Sequence, residues 1–589
     1  MGFKDAGRTL FVGVSLCLSL GFAFAQQASD SVDPEAQIGA VERDGGGPVT
    51  GKKWMISTAN PHASKAGAEI LRAGGNAIDA MVAVQTTLGL VEPQSSGLGG
   101  GGLLLYWDNA AKKLTTYDGR ETAPLAIDPT LFLDDDGKPL QFFDAVVSGL
   151  SVGVPGMPKL LHEAHKKHGI LPWGDLFDAP IRLAAEGFEI SPRMAGLVDG
   201  RIESLSVFER TRLYFLDGEG RAKPAGTLLK NPDYAETVSL FRDEGADAFY
   251  AGRIGEKIVE TVQGLEARPG TLSKTDLEVY RVKERPPVCT PYRGLDVCGM
   301  GPPTSGGIAV GQMLGILQNF DMATFDEKSI EGIQLIGDAT RLAFADRARY
   351  VADKDFVPVP VKGLLKQDYL KRRAGLLKPG QRLQQAKPGV PTFDHALNYA
   401  DDQSLELPST THFVIRDEAG NVVSMTSSIE SAFGSNIMVG GFLLNNQLTD
   451  FSFITHVDDR PVANAAAPGK RPRSSMAPTI ILKDGEPYIA LGSPGGSRII
   501  PYVAKSIVAM IDWGLDIQAA FDLPHFANRF GTFALEDNSS AVDFDPGLKA
   551  LGYNTVIISL NSGLHGLVIH DDRLEGGADR RREGVVIAE

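Results

Sequence analysis

The stretch Pro408-Ser409-Thr410-Thr411-His412 lies deep inside the chain yet reads like the start of a second polypeptide. A polar, acidic run (Asp401, Asp402, Gln403, Ser404, Glu406) precedes it, and Thr411-His412-Phe413-Val414-Ile415-Arg416-Asp417 has the alternation of a half-buried strand. Glu418-Ala419-Gly420-Asn421 supplies a turn, and Val422-Val423-Ser424-Met425-Thr426 returns as the second arm of a hairpin. Once the Ser409–Thr410 bond is cut, Thr410 stands first on a rigid strand with its own α-amine beside its hydroxyl, a nucleophile with a built-in base. The same triplet also suits ordinary surface sequence, so the decision rests on what surrounds it.

A net charge of −15 and the lack of any long basic run argue against a nucleic-acid partner and leave a small molecule as the expected ligand. With 43% hydrophobic and 22% charged residues the chain has the makings of a substantial core, and its 589 residues leave the domain count open. The 10 histidines are scattered and no His-Glu-x-x-His run occurs, so neither a metal nor a cofactor is expected.

Lys4 and Arg8, the apolar segment Leu10 to Phe24 and then Ala23-Phe24-Ala25 before Gln26 read as a secretory signal peptide, residues 1–25, cleaved after Ala25. A membrane anchor is the alternative, but the apolar stretch is short of the roughly 20 residues a span needs. Export to a periplasm or to the medium is therefore expected, with no membrane span after signal removal. The mature chain keeps Cys289 and Cys298, which flank an apparent hairpin turning at Arg293-Gly294 and are directly opposed in that register. An oxidising compartment favours joining them; a reduced pair of small core residues is the other reading.

Residues 26 to about 50 are polar and glycine-rich, a loose leader, with order expected from near Trp54. Helical spacing runs from His62 to Ala73, with Gly74-Gly75 as its stop, and again from about Ala77 to Leu90. Gly99 to Gly102 precede a strand, Leu103 to Trp107, rather than open a helix, so close backbone packing explains them better than phosphate binding. Residues 127 to 285 are mostly amphipathic helix, a long helix runs from Ile330 to Ala352, and a basic, polar connection spans Lys366 to Pro391. Further strands are expected at Pro478 to Leu482 and Tyr488 to Gly492, the latter leading through Ser493-Pro494-Gly495-Gly496-Ser497-Arg498 into a helix that reaches Trp513. Strand pairs on both sides of residue 410 with helices between them suit two stacked sheets covered by helices, an α/β architecture.

The chain resembles the γ-glutamyltranspeptidase family of N-terminal-nucleophile hydrolases from about Ser57 to the C-terminus. The resemblance is carried by Gly74-Gly75-Asn76-Ala77-Ile78-Asp79-Ala80, Leu98 to Gly102, Arg120-Glu121, Pro302-Pro303-Thr304-Ser305-Gly306-Gly307, Thr410-Thr411-His412, Leu444 to Phe451, Arg471-Pro472-Arg473-Ser474-Ser475-Met476 and Gly492 to Arg498. No single string decides; their joint occurrence in this order does. The resemblance implies a four-layer αββα sandwich built from two subunits of one precursor, residues 51–409 and 410–589, after self-cleavage between Ser409 and Thr410. It further implies that Thr410 is the nucleophile, Gly495 and Gly496 form the oxyanion hole, and Arg120, Ser474 and Ser475 hold the α-carboxylate of a γ-glutamyl donor. Asp450, Gln447 and Glu430 then surround its ammonium. Implied substrates are glutathione and other γ-glutamyl amides as donors, with water or the amines of amino acids and dipeptides as acceptors.

Three departures stand out. Ser428 replaces the family's second threonine but keeps a hydroxyl to orient the nucleophile; Phe451 to Arg473 is shorter than a full lid loop and lacks tyrosine, which predicts an open pocket. Gly576 to Arg582 departs from the usual Asp-Pro-Arg. Two competing readings remain. A cephalosporin acylase of the same family would take a glutaryl group, leaving Asp450 and Glu430 without a cation. A secreted binding homologue would have kept the fold and lost the chemistry.

Overall fold

The computed structural model describes residues 46–395 and 398–589; the expected signal peptide and most of the expected leader lie outside them. Its centre is two seven-stranded sheets. The hairpin read from the sequence forms as strands Thr411–Arg416 and Val422–Ser428, paired antiparallel with Thr411 opposite Ser427. They sit mid-sheet, flanked by Met55–Thr58 on one side and Gly101–Asp108 on the other. Val585–Ala588, Lys113–Gly119 and Lys283–Arg285 complete this sheet. The second sheet runs, in spatial order, Val49–Gly51, Leu574–Ala578, His565–Ile569, Glu486–Gly492, Thr479–Lys483, Leu295–Gly299 and Val288–Tyr292.

Strand alternation builds the layers. Leu104, Tyr106, Phe413, Ile415, Val423 and Met425 point one way, into a core shared with helices Pro61–Arg72 and Ala77–Val91. Leu103, Leu105, Trp107, Val414 and Val422 point the other way and pack with Ile489, Leu491 and Leu567 of the second sheet. Helices Gly306–Leu317, Ile330–Tyr350 and Ile499–Ile511 join that second core. Helix, sheet, sheet, helix is the αββα order. At the sheet interface the buried His412 ring lies against Gly492, where an added Cβ would come within 2.3 Å of it, and its Nδ1 is 2.8 Å from Thr426 Oγ1. Burial holds this imidazole neutral, well below its ordinary pKa.

The glycine run is a packing device. A Cβ on Gly99 would meet the Leu443 carbonyl at 2.1 Å and one on Gly100 the Ser428 carbonyl at 2.2 Å, so only glycine lets this segment pass beneath the hairpin.

Three expectations need correction. The leader does not extend to residue 50, because Val49–Gly51 pairs with Leu574–Gly576 and extends the second sheet's edge. The connection after Lys366 carries a helix, Gln367–Ala374, whose Tyr369 and Leu370 are buried against the second core. The helix expected to reach Trp513 ends at Ile511.

Cys289 and Cys298 face each other across a hairpin and are joined in a disulfide. Arg293 and Gly294 at its turn take φ of +50° and +82°, the left-handed pair that suits a tight hairpin. Replacing both cysteines by serine is expected to cost about 2–3 kcal/mol of stability. Denaturant unfolding of the two forms would measure it, and coincident midpoints would show the bridge to be energetically idle.

Candidate active site

Thr410 enters the central hairpin one residue before its first paired position, opposite Ser428. Its Oγ1 lies 2.5 Å from the carbonyl oxygen of Ser409 and 3.3 Å from Ser428 Oγ. Ser428 Oγ donates to the same Ser409 carbonyl at 2.9 Å. The chain is intact here, so the threonine hydroxyl rests against the peptide bond that precedes it, with a second hydroxyl polarising that carbonyl. Arg582 Nη1 donates to the Thr410 carbonyl at 2.9 Å, and Ser409 Oγ donates to the Gln94 carbonyl at 2.6 Å. Both sides of the bond are thus pinned by parts of the chain hundreds of residues away.

A small cavity of about 30 Å³ opens beside Thr410, lined by Arg120, Glu406, Leu407, Ser428, Glu430, Gln447, Asp450, Ser474, Ser475, Met476, Gly496 and Ile499. Of the expected catalytic and substrate-binding residues, Gly495 alone does not line it; it adjoins Gly496 in the turn between strand Glu486–Gly492 and helix Ile499–Ile511. Both glycines have positive φ, +132° and +55°. A short 3-10 turn, Gly496–Arg498, intervenes before that helix. A Cβ on Gly496 would stand 2.6 Å from the Leu407 carbonyl, so the segment before the cut lies directly on this turn.

Arg120 follows strand Lys113–Gly119. It is 1% exposed and bound by Nη2 to Asp450 Oδ2 at 2.5 Å and to the Arg473 carbonyl at 2.8 Å. Gln447 Nε2 also donates to Asp450 Oδ2, at 2.7 Å, from the same 3-10 turn, Gln447–Asp450. Burial raises the Asp450 pKa and Arg120 opposes the rise, leaving it at about 6. Glu430 takes φ +80° just past the end of its strand, with its N–H donating to Ser428 Oγ at 2.9 Å. That turn aims its carboxyl into the cavity, where it accepts from Asn446 Nδ2 and from the Leu407 N–H. Burial, and then the charge of Asp450, push the Glu430 pKa well above the usual carboxyl range.

The sequence reading gave no site role to several groups that the structure brings here. Glu406 accepts hydrogen bonds from Ser475 Oγ and from Arg347, and Arg473 lies 3.4 Å away. Arg473 also pairs with Asp402 at 2.8 Å. Burial opposes the Glu406 charge, but Arg347 and Arg473 outweigh it and hold the pKa down to about 2. The signals were visible as an acidic run before the cut and a second arginine in Arg471-Pro472-Arg473, but nothing local linked them. The open pocket expected from the shortened segment Phe451 to Arg473 is not seen in the intact chain. Glu406 and Leu407 form part of the cavity wall, and the shortened segment itself pairs with the tail through the Ala400 N–H and the Pro461 carbonyl at 2.9 Å.

Among the described residues no group of three or more His, Cys, Asp or Glu side chains is placed to hold a metal ion, and no helix is long and apolar enough to cross a membrane. The arrangement sets the Thr410 hydroxyl beside a buried polar pocket that holds one arginine and several carboxyl groups.

Comparison with known proteins points the same way. The family model for γ-glutamyltranspeptidase matches residues 63–589. A glutathione hydrolase proenzyme of Bacillus subtilis (strain 168) is 38% identical over 549 residues, covering 91% of this chain and 92% of that protein. A glutathione hydrolase proenzyme of Escherichia coli (strain K12) is 36% identical, covering 88% of each. Among solved structures, a cephalosporin acylase from Bacillus halodurans superposes with a TM-score of 0.81 at 26% identity, covering 95% of this chain and 99% of that one. With a family model spanning most of its length and relatives of this similarity aligned almost end to end, the chain belongs to the γ-glutamyltranspeptidase family of enzymes.

Proposed function

We propose that this protein is a self-processed γ-glutamyltransferase and glutathione hydrolase in which Thr410 forms the acyl-enzyme. The observation that carries the reading is the placement of Thr410 Oγ1 against the Ser409 carbonyl, with Ser428 donating to the same oxygen. Attack of the hydroxyl on that carbonyl carbon forms the C–O bond, breaks the C–N bond and passes the hydroxyl proton to the departing nitrogen. Water then hydrolyses the resulting ester, leaving the Ser409 carboxylate and a free Thr410 α-amine. That amine, with a reference pKa of roughly 7.7–8.0, is suited to act as general base for the same hydroxyl. A γ-glutamyl amide then acylates Thr410 and the acyl group passes to water or to an amine, with ping-pong kinetics.

Gly495 and Gly496 are the proposed oxyanion donors, Arg120, Ser474 and Ser475 the carboxylate ligands, and Asp450, Glu430 and Gln447 the ammonium site. The two pieces, 51–409 and 410–589, would remain one body, since both sheets interleave strands from either side of the cut. The signal peptide expected from the sequence and the Cys289–Cys298 bridge support an exported enzyme. Intact masses under denaturing conditions test the reading. Two fragments, one starting at Thr410, together with turnover of a γ-glutamyl anilide, are expected; a single uncut chain that turns nothing over would leave the inactive binding homologue.

The acylase reading is favoured by the close superposition on a cephalosporin acylase. A glutaryl donor would also not leave Asp450 unpaired, because Asp450 is bound to Arg120, and burial already raises the Glu430 pKa. Discrimination therefore rests on the gain when a donor ammonium arrives and both acids ionise around it. This sets a pH signature. With Asp450 titrating at about 6, the carboxylate that attracts the ammonium is lost as pH falls through that value. The kcat/KM ratio of γ-glutamyl to glutaryl anilide is expected to drop below it, approaching roughly tenfold per pH unit. The ratio cancels the titration of the Thr410 amine common to both donors. A flat ratio, or a glutaryl preference at neutral pH, would favour the acylase.

A further inference from the structure

The tail that precedes the cut carries a carboxylate into the pocket. Residues 401–409 form neither helix nor strand. Within them Glu406 accepts from Ser475 Oγ and from Arg347 Nη2 and lies 3.4 Å from Arg473 Nη2. Arg347 comes from helix Ile330–Tyr350 and Arg473 from the other side of the cut, and both are nearly fully buried. Arg473 holds more than its present partners use. Its Nε and Nη1 are buried with no hydrogen-bond partner, while its Nη2 serves Asp402, Ser404 and Glu406 together.

Self-cleavage is itself an acyl transfer to Thr410, with Ser409 as the acyl group and Glu406 as a carboxylate on the acyl side. A γ-glutamyl or glutaryl donor has that same pair of features, a carbonyl for Thr410 and a carboxylate on the acyl group. Cutting leaves residues 403–409 as a free-ended segment whose acid is held by contacts that any carboxylate can take over. Once Glu406 leaves, Arg347 and Arg473 face Asp402 alone of the two tail acids that pair with them, and the place becomes net positive.

We propose that Arg347 and Arg473, together with Ser475, form a carboxylate-binding site that Glu406 fills in the uncut chain and that the acyl donor's carboxylate fills after the cut. The inference rests on the Thr410 reading above. It adds two specificity-determining residues beyond Arg120, whose guanidinium is already engaged by Asp450 and by the Pro472 and Arg473 carbonyls. It also makes the tail a ligand of the mature enzyme.

The test compares γ-glutamyl anilide with 4-aminobutyryl anilide, which keeps the ammonium and lacks the carboxylate, on the cut, full-length enzyme and on Arg473→Met and Arg473→Lys. The kcat/KM ratio of the two donors is expected to fall at least about tenfold in Arg473→Met, through KM, and to recover in large part in Arg473→Lys. A ratio within about twofold of wild type in cut Arg473→Met would overturn the proposal. Because that variant can also fail to mature, a second measurement uses the wild type alone. A synthetic peptide of residues 401–409 is expected to inhibit competitively, and its counterpart with glutamine in place of Glu406 at least about tenfold more weakly. Equal inhibition by the two peptides, or none by either, also overturns it. A wild type that never cuts or never releases the aniline defeats the Thr410 reading instead, so the two failures are distinguishable.

Discussion

A Thr410→Ala chain is expected to stay in one piece and to lose essentially all turnover of γ-glutamyl donors, a loss of about 10⁶-fold if it matches removal of other covalent nucleophiles. Thr410 Oγ1 is the hydroxyl beside the Ser409 carbonyl, at 2.5 Å, and the neighbouring Ser428 Oγ already donates to that oxygen, which makes Ser428 a polarising group and not a replacement attacker. Removing the hydroxyl, along with the γ-methyl, is therefore expected to abolish both maturation and acyl transfer while leaving the packed sheets intact. Thr410→Ser should separate the two roles. It keeps the hydroxyl, so it should cut and turn over, with slower rates because the methyl that fixes the side chain's rotamer is gone. Intact mass and anilide release read both outcomes. A Thr410→Ala chain that still cut at this bond would place the nucleophile elsewhere and undo the proposed mechanism.

Asp450→Ala is expected to reduce kcat/KM for γ-glutamyl anilide by roughly 10²-fold to several thousand-fold, the effect of breaking a buried ion pair worth about 3–5 kcal/mol. Two losses combine. The donor's ammonium loses its carboxylate, and Arg120, which is 1% exposed, loses the partner that aims its guanidinium. Asp450→Asn separates them, since an amide oxygen can still accept from Arg120 but carries no charge. The γ-glutamyl rate should fall in both variants, whereas the glutaryl rate should fall in Asp450→Ala and be largely retained in Asp450→Asn. Equal losses for the two donors in Asp450→Asn would show that Asp450 acts only by holding Arg120. Thermal unfolding of both variants must accompany the kinetics, because an Arg120 left in the interior beside the buried Glu121 also bears on stability.

Much of the frame was legible because strand and turn signals are local. The alternation from Thr411 to Arg416 and the Gly420-Asn421 turn suffice to predict the hairpin, and the four glycines before Leu103 announce close packing without saying against what. The opposed cysteines followed from counting residues out from Arg293-Gly294. Boundaries were less legible. Val49–Gly51 looked like leader because a short polar edge strand is ordered by its partner, here Leu574–Gly576, and not by its own composition. Helix Gln367–Ala374 was hidden by its basic last turn, since its burial depends on where Tyr369 and Leu370 land.

The sequence by itself determined the αββα plan and the family, and it pointed to the proposed cut and the proposed nucleophile, because each is written in neighbouring residues or in short motifs whose order is diagnostic. Tertiary structure alone decided what surrounds that nucleophile. Arg347, Glu406, Arg473 and Ser475 meet in one cluster, and Arg582 reaches the Thr410 carbonyl, only because two sheets interleave distant segments. The raised pKa of Glu430 was likewise beyond reach of the sequence. It arises from burial and from the nearness of Asp450, and both are properties of three-dimensional distance and local dielectric, which residue order does not record.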